Sequence, residues 1–162
     1  MRRCLFWFRV PIALAMLFVS FGTAQLAHAA PPADEEIDAL IANAESAGIT
    51  AITQDATIMD WDEEGMPSVL LREGTNGWTC LTDWPASPGN DPQCYDTVWA
   101  AWSEAYMAGE VPELDSPGLS YMLAGGSDPS NTDPFAMEPA PGEEWISTPP
   151  HMMILAVSRL EA

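Results

Sequence analysis

Residues 74–102 read GTNGWTCLTDWPASPGNDPQCYDTVWAAW, and the fold turns on how that stretch is divided. It holds Cys80, Cys94 and the tryptophans Trp78, Trp84, Trp99 and Trp102. Asn76-Gly77 is a strong hairpin signal, because a tight two-residue turn needs residues that accept a positive φ. Trp78, Cys80 and Leu81 after it suit a strand. Pro85, Pro88, Gly89, Asn90, Asp91 and Pro92 mark a loop. Asp91-Pro92 pairs an N-cap acceptor with a proline at the first helical position, which predicts a helix over 91–108 that stops at Gly109. On that helix Tyr95, Trp99, Trp102 and Tyr106 recur at i, i+4, i+7 and i+11 as one aromatic stripe, with Cys94, Val98, Ala101 and Ala105 beside it. A Cys80–Cys94 bridge would then tie the first helical turn to the preceding strand.

Working back from the stretch, Ile49, Ile52, Ile58 and Met59 lie among threonines and suit an extended chain. Asp60-Trp61-Asp62-Glu63-Glu64-Gly65 reads as an acidic turn, and Val69-Leu70-Leu71 as the returning strand. Residues 55–82 are therefore expected to form a three-stranded antiparallel meander. Earlier still, Ile37, Leu40, Ile41 and Ala44 keep helical spacing behind Asp34, Glu35 and Glu36, whose charges suit a helix N-terminus. Gly48 is a natural stop, so a helix is predicted over 34–47. Forward of the stretch, Leu119 to Leu123 predicts a strand closed by Gly125-Gly126, residues 127–142 a loop, Trp145-Ile146 a brief pairing, and His151 to Val157 a last strand. The expected class is α+β: a single domain whose antiparallel sheet of four or five strands packs against the aromatic-striped helix, with one disulfide.

The first 29 residues read as an address. Arg2, Arg3 and Arg9 flank a short apolar run over 11–21, and Ala27-His28-Ala29 is a small-x-small cleavage signal. That order predicts a signal peptide over 1–29, with Sec export preferred to the twin-arginine route, and an exported domain over 30–162. Cys4 departs with the leader. The remainder sets 24 acids against Arg72 and Arg159, a net charge of −22 with no lysine. Phosphate backbones and anionic membrane surfaces repel such a chain, so nucleic acid and lipid surfaces are poor partners. The excess acid keeps an exported protein dispersed, or attracts cations or a basic partner. In an oxidising compartment, periplasmic or extracellular, Cys80 and Cys94 most simply pair, closing a loop of 15 residues worth about 3 kcal/mol. Free thiols or half a metal site are the alternatives. The C-x13-C spacing is neither a zinc knuckle nor a redox motif.

Gly74-Thr75-Asn76-Gly77-Trp78-Thr79-Cys80, Pro88-Gly89-Asn90-Asp91-Pro92 with Cys94, Tyr121-Met122-Leu123 before Gly125-Gly126-Ser127, Ser130-Asn131-Thr132-Asp133-Pro134, and Pro150-His151 together resemble a family of small exported bacterial proteins of unknown function. The resemblance spans about residues 55–155. It implies one compact module and no particular chemistry.

The residues able to carry chemistry are few. Asp60-x-Asp62-x-Glu64-Gly65 has the first half of a calcium loop, but position 12 is Leu71 where a bidentate acid is needed. A solvated hairpin tip is the preferred reading. Asn90, Asp91, Asn131 and Asp133 sit in Asx-proline settings that close turns, or that bring two loops onto a cation or a sugar hydroxyl. His151 precedes an apolar strand and reads as a satisfied ring or as a hydrolytic base needing Asp91 or Asp133. Ser127 lacks the G-x-S-x-G context of a nucleophile elbow. The tryptophans read as core, or, for Trp84 with Trp61, as an exposed platform for sugar rings or peptide. The expectation is a non-enzymatic exported binding or accessory module for a small ligand or an envelope protein. Its candidate ligand surface is Asn76, Trp78, Trp84, Asn90, Asp91, Asn131, Asp133 and His151, on the loops at 74–77, 84–91 and 127–134. No cofactor is expected, calcium being the alternative, and no membrane span in the mature chain. A hydrolase using His151 and a calcium-stabilised structural protein are the alternatives.

Overall fold

The computed structural model describes residues 34–133 and 135–156. The chain divides into Met1–Pro31 and Pro32–Ala162, and every described residue belongs to the second unit. The signal-peptide reading and the proposed end of the last strand at Val157 lie outside the described residues.

In chain order the elements are α1 (Asp34–Glu45), α2 (Thr50–Thr53), β1 (Thr57–Asp60), β2 (Val69–Arg72), β3 (Thr79–Leu81), β4 (Gln93–Tyr95), α3 (Thr97–Met107), β5 (Gly118–Met122), β6 (Gly126–Asp128), β7 (Ile146–Thr148) and β8 (His151–Leu155). The class is α+β, and Cys80 and Cys94 form the disulfide. The main sheet has six strands in the order β2-β1-β3-β4-β5-β8, and β6 pairs with β7 in a separate ribbon. That ribbon occupies residues where a loop was expected. Its strands are short, and β7 supplies the pairing anticipated near Ile146.

Three local expectations fail for tertiary reasons. Residues 50–53 form one helical turn instead of extending. The Arg72 guanidinium anchors the end of this turn, Nη2 donating to Thr53 O at 2.6 Å and to Ala56 O just beyond it at 3.2 Å while Nη1 pairs with Glu45 at 2.7 Å.

Residues 55–82 are not a meander. β2 is antiparallel to β1, but β3 crosses to the other side of β1 and runs parallel to it. The crossing passes so close to the start of β1 that a Cβ on Gly74 would stand 2.1 Å from Thr57 N and 2.3 Å from Ala56 C. Thr75 N donates to Asp55 O at 2.8 Å and pins the chain there. Asn76-Gly77 serves this crossing. Of the two only Gly77 has a positive φ, +77°, so a type I′ hairpin turn is ruled out. Asn76 closes an Asx turn, its Oδ1 accepting from Trp78 N at 3.0 Å and its Nδ2 donating to Ile52 O at 2.7 Å.

The helix does not begin at Asp91. Gln93–Tyr95 is a strand, and Asp96 is the N-cap of α3, its Oδ1 accepting from Trp99 N and its Oδ2 from Leu119 N, both at 2.8 Å. Cys94 thus lies directly opposite Cys80 across β3–β4, and the disulfide joins two strands rather than a strand and a helix. Tyr95 drops out of the helical stripe.

Strand alternation sorts the sheet into two faces. Ile58, Cys80, Cys94 and, packed against them, Tyr121 point toward α1, where Ala44, Ala47 and Ala56 complete a core of small residues around the disulfide. Trp78 stacks on Tyr121 at 5.6 Å on this side. Leu81, Gln93, Ser120, Met122 and Met153 occupy the alternate positions, and α3 lies over that second face.

Candidate functional site: an aromatic-walled groove

The second face is incompletely filled. Between it and α3 lies a cavity of ≈ 640 Å³, floored by Leu81, Gln93, Met122 and Met153. A neighbouring cavity of ≈ 550 Å³ shares the walls Trp61, Trp84, Ser103 and Met107 and reaches Met66 and Met137. Aromatic rings form both sides. On one side Trp84 stands 6.4 Å from Trp61 and 6.3 Å, edge-on, from Trp145. On the other, α3 presents Trp99, Trp102 and Tyr106 in a column with 5.4 and 5.0 Å spacings, extended by Phe135 stacked 4.9 Å from Tyr106. Helical spacing alone makes the column, since i+3 and i+4 neighbours lie one above the other. Phe135, Met107, Met66 and Met137 are exposed around the opening.

Each wall is anchored by its backbone surroundings. Trp61 Nε1 donates to Thr82 O at 3.0 Å, and the buried Thr82 hydroxyl donates to Asp60. The loop carrying Trp84 is closed reciprocally: Asp91 N donates to Asp83 Oδ1 at 2.8 Å, and Trp84 N to Asp91 Oδ1 at 3.2 Å. From α1, Asn43 reaches across to hold the same loop, accepting from Asp83 N at 2.8 Å and donating to Asn90 Oδ1 at 2.7 Å. The tip of the loop meets β6 so tightly that a Cβ on Gly89 would stand 2.0 Å from Ser127 Oγ.

Electrostatically the groove is acidic. Asp91 and Asp128 line it, Glu104 borders the second cavity, and no lysine, arginine or histidine takes part. Burial, and after it the adjoining Asp91 carboxyl, push Asp83 above the usual carboxylate range. Burial and the negative charge of Glu104 likewise raise Tyr95.

The predicted surface residues are split by this arrangement. Trp84 and Asp91 line the groove, and the loops at 84–91 and 127–129 converge there through Gly89, Ser127, Asp128 and Pro129. Asn76 and Trp78 belong to the crossing beside β1. Asn90 is occupied by Asn43. Asn131 is exposed, and Asp133 accepts from Phe135 N at 3.0 Å in a local turn that delivers Phe135 to the column. His151 Nδ1 donates to Pro149 O at 2.8 Å. Among the described residues no hydrogen bond joins it to Asp91 or Asp133. At the acidic turn, Asp62 accepts from Glu64 N, Met66 N and Ser68, which hold its carboxyl below the usual value. It closes the β1–β2 connection with the oxygens a calcium ion would require.

Sequence reasoning paired Trp61 with Trp84 but missed Gln93, Ser103, Tyr106, Met122, Asp128 and Trp145 as partners. The aromatic spacing on α3 signalled a stripe, and nothing local said that it faced a gap. No family model, curated protein or solved structure matches the chain.

Proposed function

We propose that the protein is an exported, non-enzymatic binding module whose ligand lies in the aromatic-walled groove. One observation carries this reading: Trp61, Trp84, Trp99, Trp102 and Tyr106 line open volume in two ring groups, which Trp145 and Phe135 extend. Rings used only as core would close on one another. The groove's charge excludes anionic ligands, since acids line it and no cation offsets them. Its polar atoms are carboxylates, hydroxyls and an amide, which accept from and donate to hydroxyl groups. A neutral oligosaccharide combines flat apolar ring faces with hydroxyl edges and fits both features. The paired cysteines and the acidic composition support an oxidising compartment outside the cytoplasm.

The test is intrinsic tryptophan fluorescence of the disulfide-intact protein titrated with neutral oligosaccharides of glucose, N-acetylglucosamine and mannose. Saturable quenching is expected for at least one series. It should be lost in Trp84→Ala and Tyr106→Ala and kept in Asn76→Ala, which lies outside the groove. No response from any series, or equal response in all three variants, refutes the reading.

A further inference from the structure

A second group of side chains on the same sheet face belongs to different chemistry. β5 and β8 pair antiparallel with Met122 opposite His151 and Ser120 opposite Met153. Alternation therefore puts Met122, His151 and Met153 on one face, two as direct cross-strand neighbours and the third diagonal to Met122. Burial follows the same alternation: His151 and Met153 are partly buried, whereas Met152 and Ile154 between and beyond them are exposed. Two of them, Met122 and His151, meet beside Gly126, and Met153 shares a cavity wall with Met122. A Cβ on Gly126 would stand 3.1 Å from Met122 Cε and 3.7 Å from His151 Cε1. It would also stand 2.7 Å from Thr148 Oγ1, a buried oxygen with no hydrogen-bond partner among the described residues.

The imidazole is already oriented. A carbonyl cannot donate, so in the 2.8 Å contact with Pro149 O the ring donates from Nδ1, and Nε2 is the nitrogen left to meet a metal ion. A backbone carbonyl holding one ring nitrogen is the usual support for a metal-binding histidine.

From this juxtaposition we propose that Met122, Met153 and His151 form a binding site for a soft monovalent metal ion, Cu(I) or Ag(I), through two thioether sulfurs and Nε2. Thioethers are poor ligands for calcium, magnesium and zinc and good ones for Cu(I). They also suit a protein whose Cys80 and Cys94 are already consumed in a disulfide, because methionine does not cross-link in an oxidising space. The long unbranched methionine side chains have the torsional freedom to close on one ion from adjacent strands.

The site is independent of the groove ligand, although Met122 and Met153 also floor the groove, and the experiment separates the two. The disulfide-intact protein is titrated with Ag(I), and anaerobically with Cu(I) against a chromophoric Cu(I) chelator, alongside Zn(II) and Ca(II). X-ray absorption then reads the donor atoms. One equivalent of Ag(I) or Cu(I) is expected to bind, with sulfur and nitrogen in the first shell. Met122→Leu, Met153→Leu and His151→Gln are each expected to weaken it roughly tenfold or more. The leucine variants conserve volume and keep the fold, as their unliganded melting curves will report. Trp84→Ala should leave metal binding intact. Binding that persists unchanged in both leucine variants places the ion on the exposed Met66, Met107 or Met137 and overturns the proposal. So does failure of the parent protein to bind, or equal binding of Zn(II).

Discussion

Asn43→Ala tests how the groove is built. The side chain projects from α1 and holds the 83–91 loop by two bonds, accepting from Asp83 N at 2.8 Å and donating to Asn90 Oδ1 at 2.7 Å. The inner bond satisfies a part-buried amide that would be orphaned, at a cost of about 1.5 kcal/mol, whereas the outer, exposed bond contributes about 0.5 kcal/mol. Alanine is the better helix former by about 0.5 kcal/mol, which offsets part of the loss. The net destabilisation is about 1.5 kcal/mol, or roughly 5 °C in melting temperature for a domain of this size. Asn90→Ala removes the outer bond alone and should lower melting by about 2 °C. Calorimetry of both variants, with hydrogen exchange at the Asp83 amide, measures the difference. Protection at Asp83 should fall in Asn43→Ala and persist in Asn90→Ala. Identical melting of the two variants, with Asp83 protected in both, would show that α1 does not hold this loop.

Three further outcomes are expected. Cys80→Ala/Cys94→Ala frees a loop of sequence separation 14 and should cost about 3 kcal/mol in loop entropy, a fall of roughly 10 °C under non-reducing conditions; an unchanged melting temperature refutes it. Gly89→Ala drives a methyl into Ser127 Oγ and should destabilise by about 1–3 kcal/mol. Adding Ser127→Gly should recover most of that, and additive effects in the double variant would deny that these loops touch. Asp83 titrates above its ordinary value of 3.8, so its protonation favours the fold. Its contribution is complete below 3.8, is lost as pH rises through the elevated value, and reflects burial and repulsion from Asp91. Asp83→Asn keeps an acceptor for Asp91 N. It should match or exceed the parent's stability at neutral pH and lack the parent's Asp83-linked gain on mild acidification. A neutral-pH stability clearly below the parent's would contradict that sign.

Several features were legible because they depend on neighbours in sequence. The α1 pattern, the acidic β1–β2 tip, β5 and β8 follow from periodicity and turn residues, and once the leader reading sets Cys4 aside, Cys80 and Cys94 leave one pairing. The aromatic column on α3 is legible for the same reason, since its spacing is local. Even the Trp61–Trp84 pair was within reach as an association of like residues in neighbouring loops.

What only the tertiary structure decided is which surfaces meet. Asn76-Gly77 suits a hairpin turn and an Asx crossing equally; the passage of Gly74 over β1 selects the second and makes β1 and β3 parallel. Asp91-Pro92 reads locally as a helix start. Pairing of Cys94 against Cys80 claims residues 93–95 for the sheet, and so passes the cap to Asp96. Periodicity names the face that a helix or strand presents but not its distance from whatever lies opposite. The groove between the two aromatic walls, and the placing of Met122, Met153 and His151 on one face of β5 and β8, arise from that long-range placement.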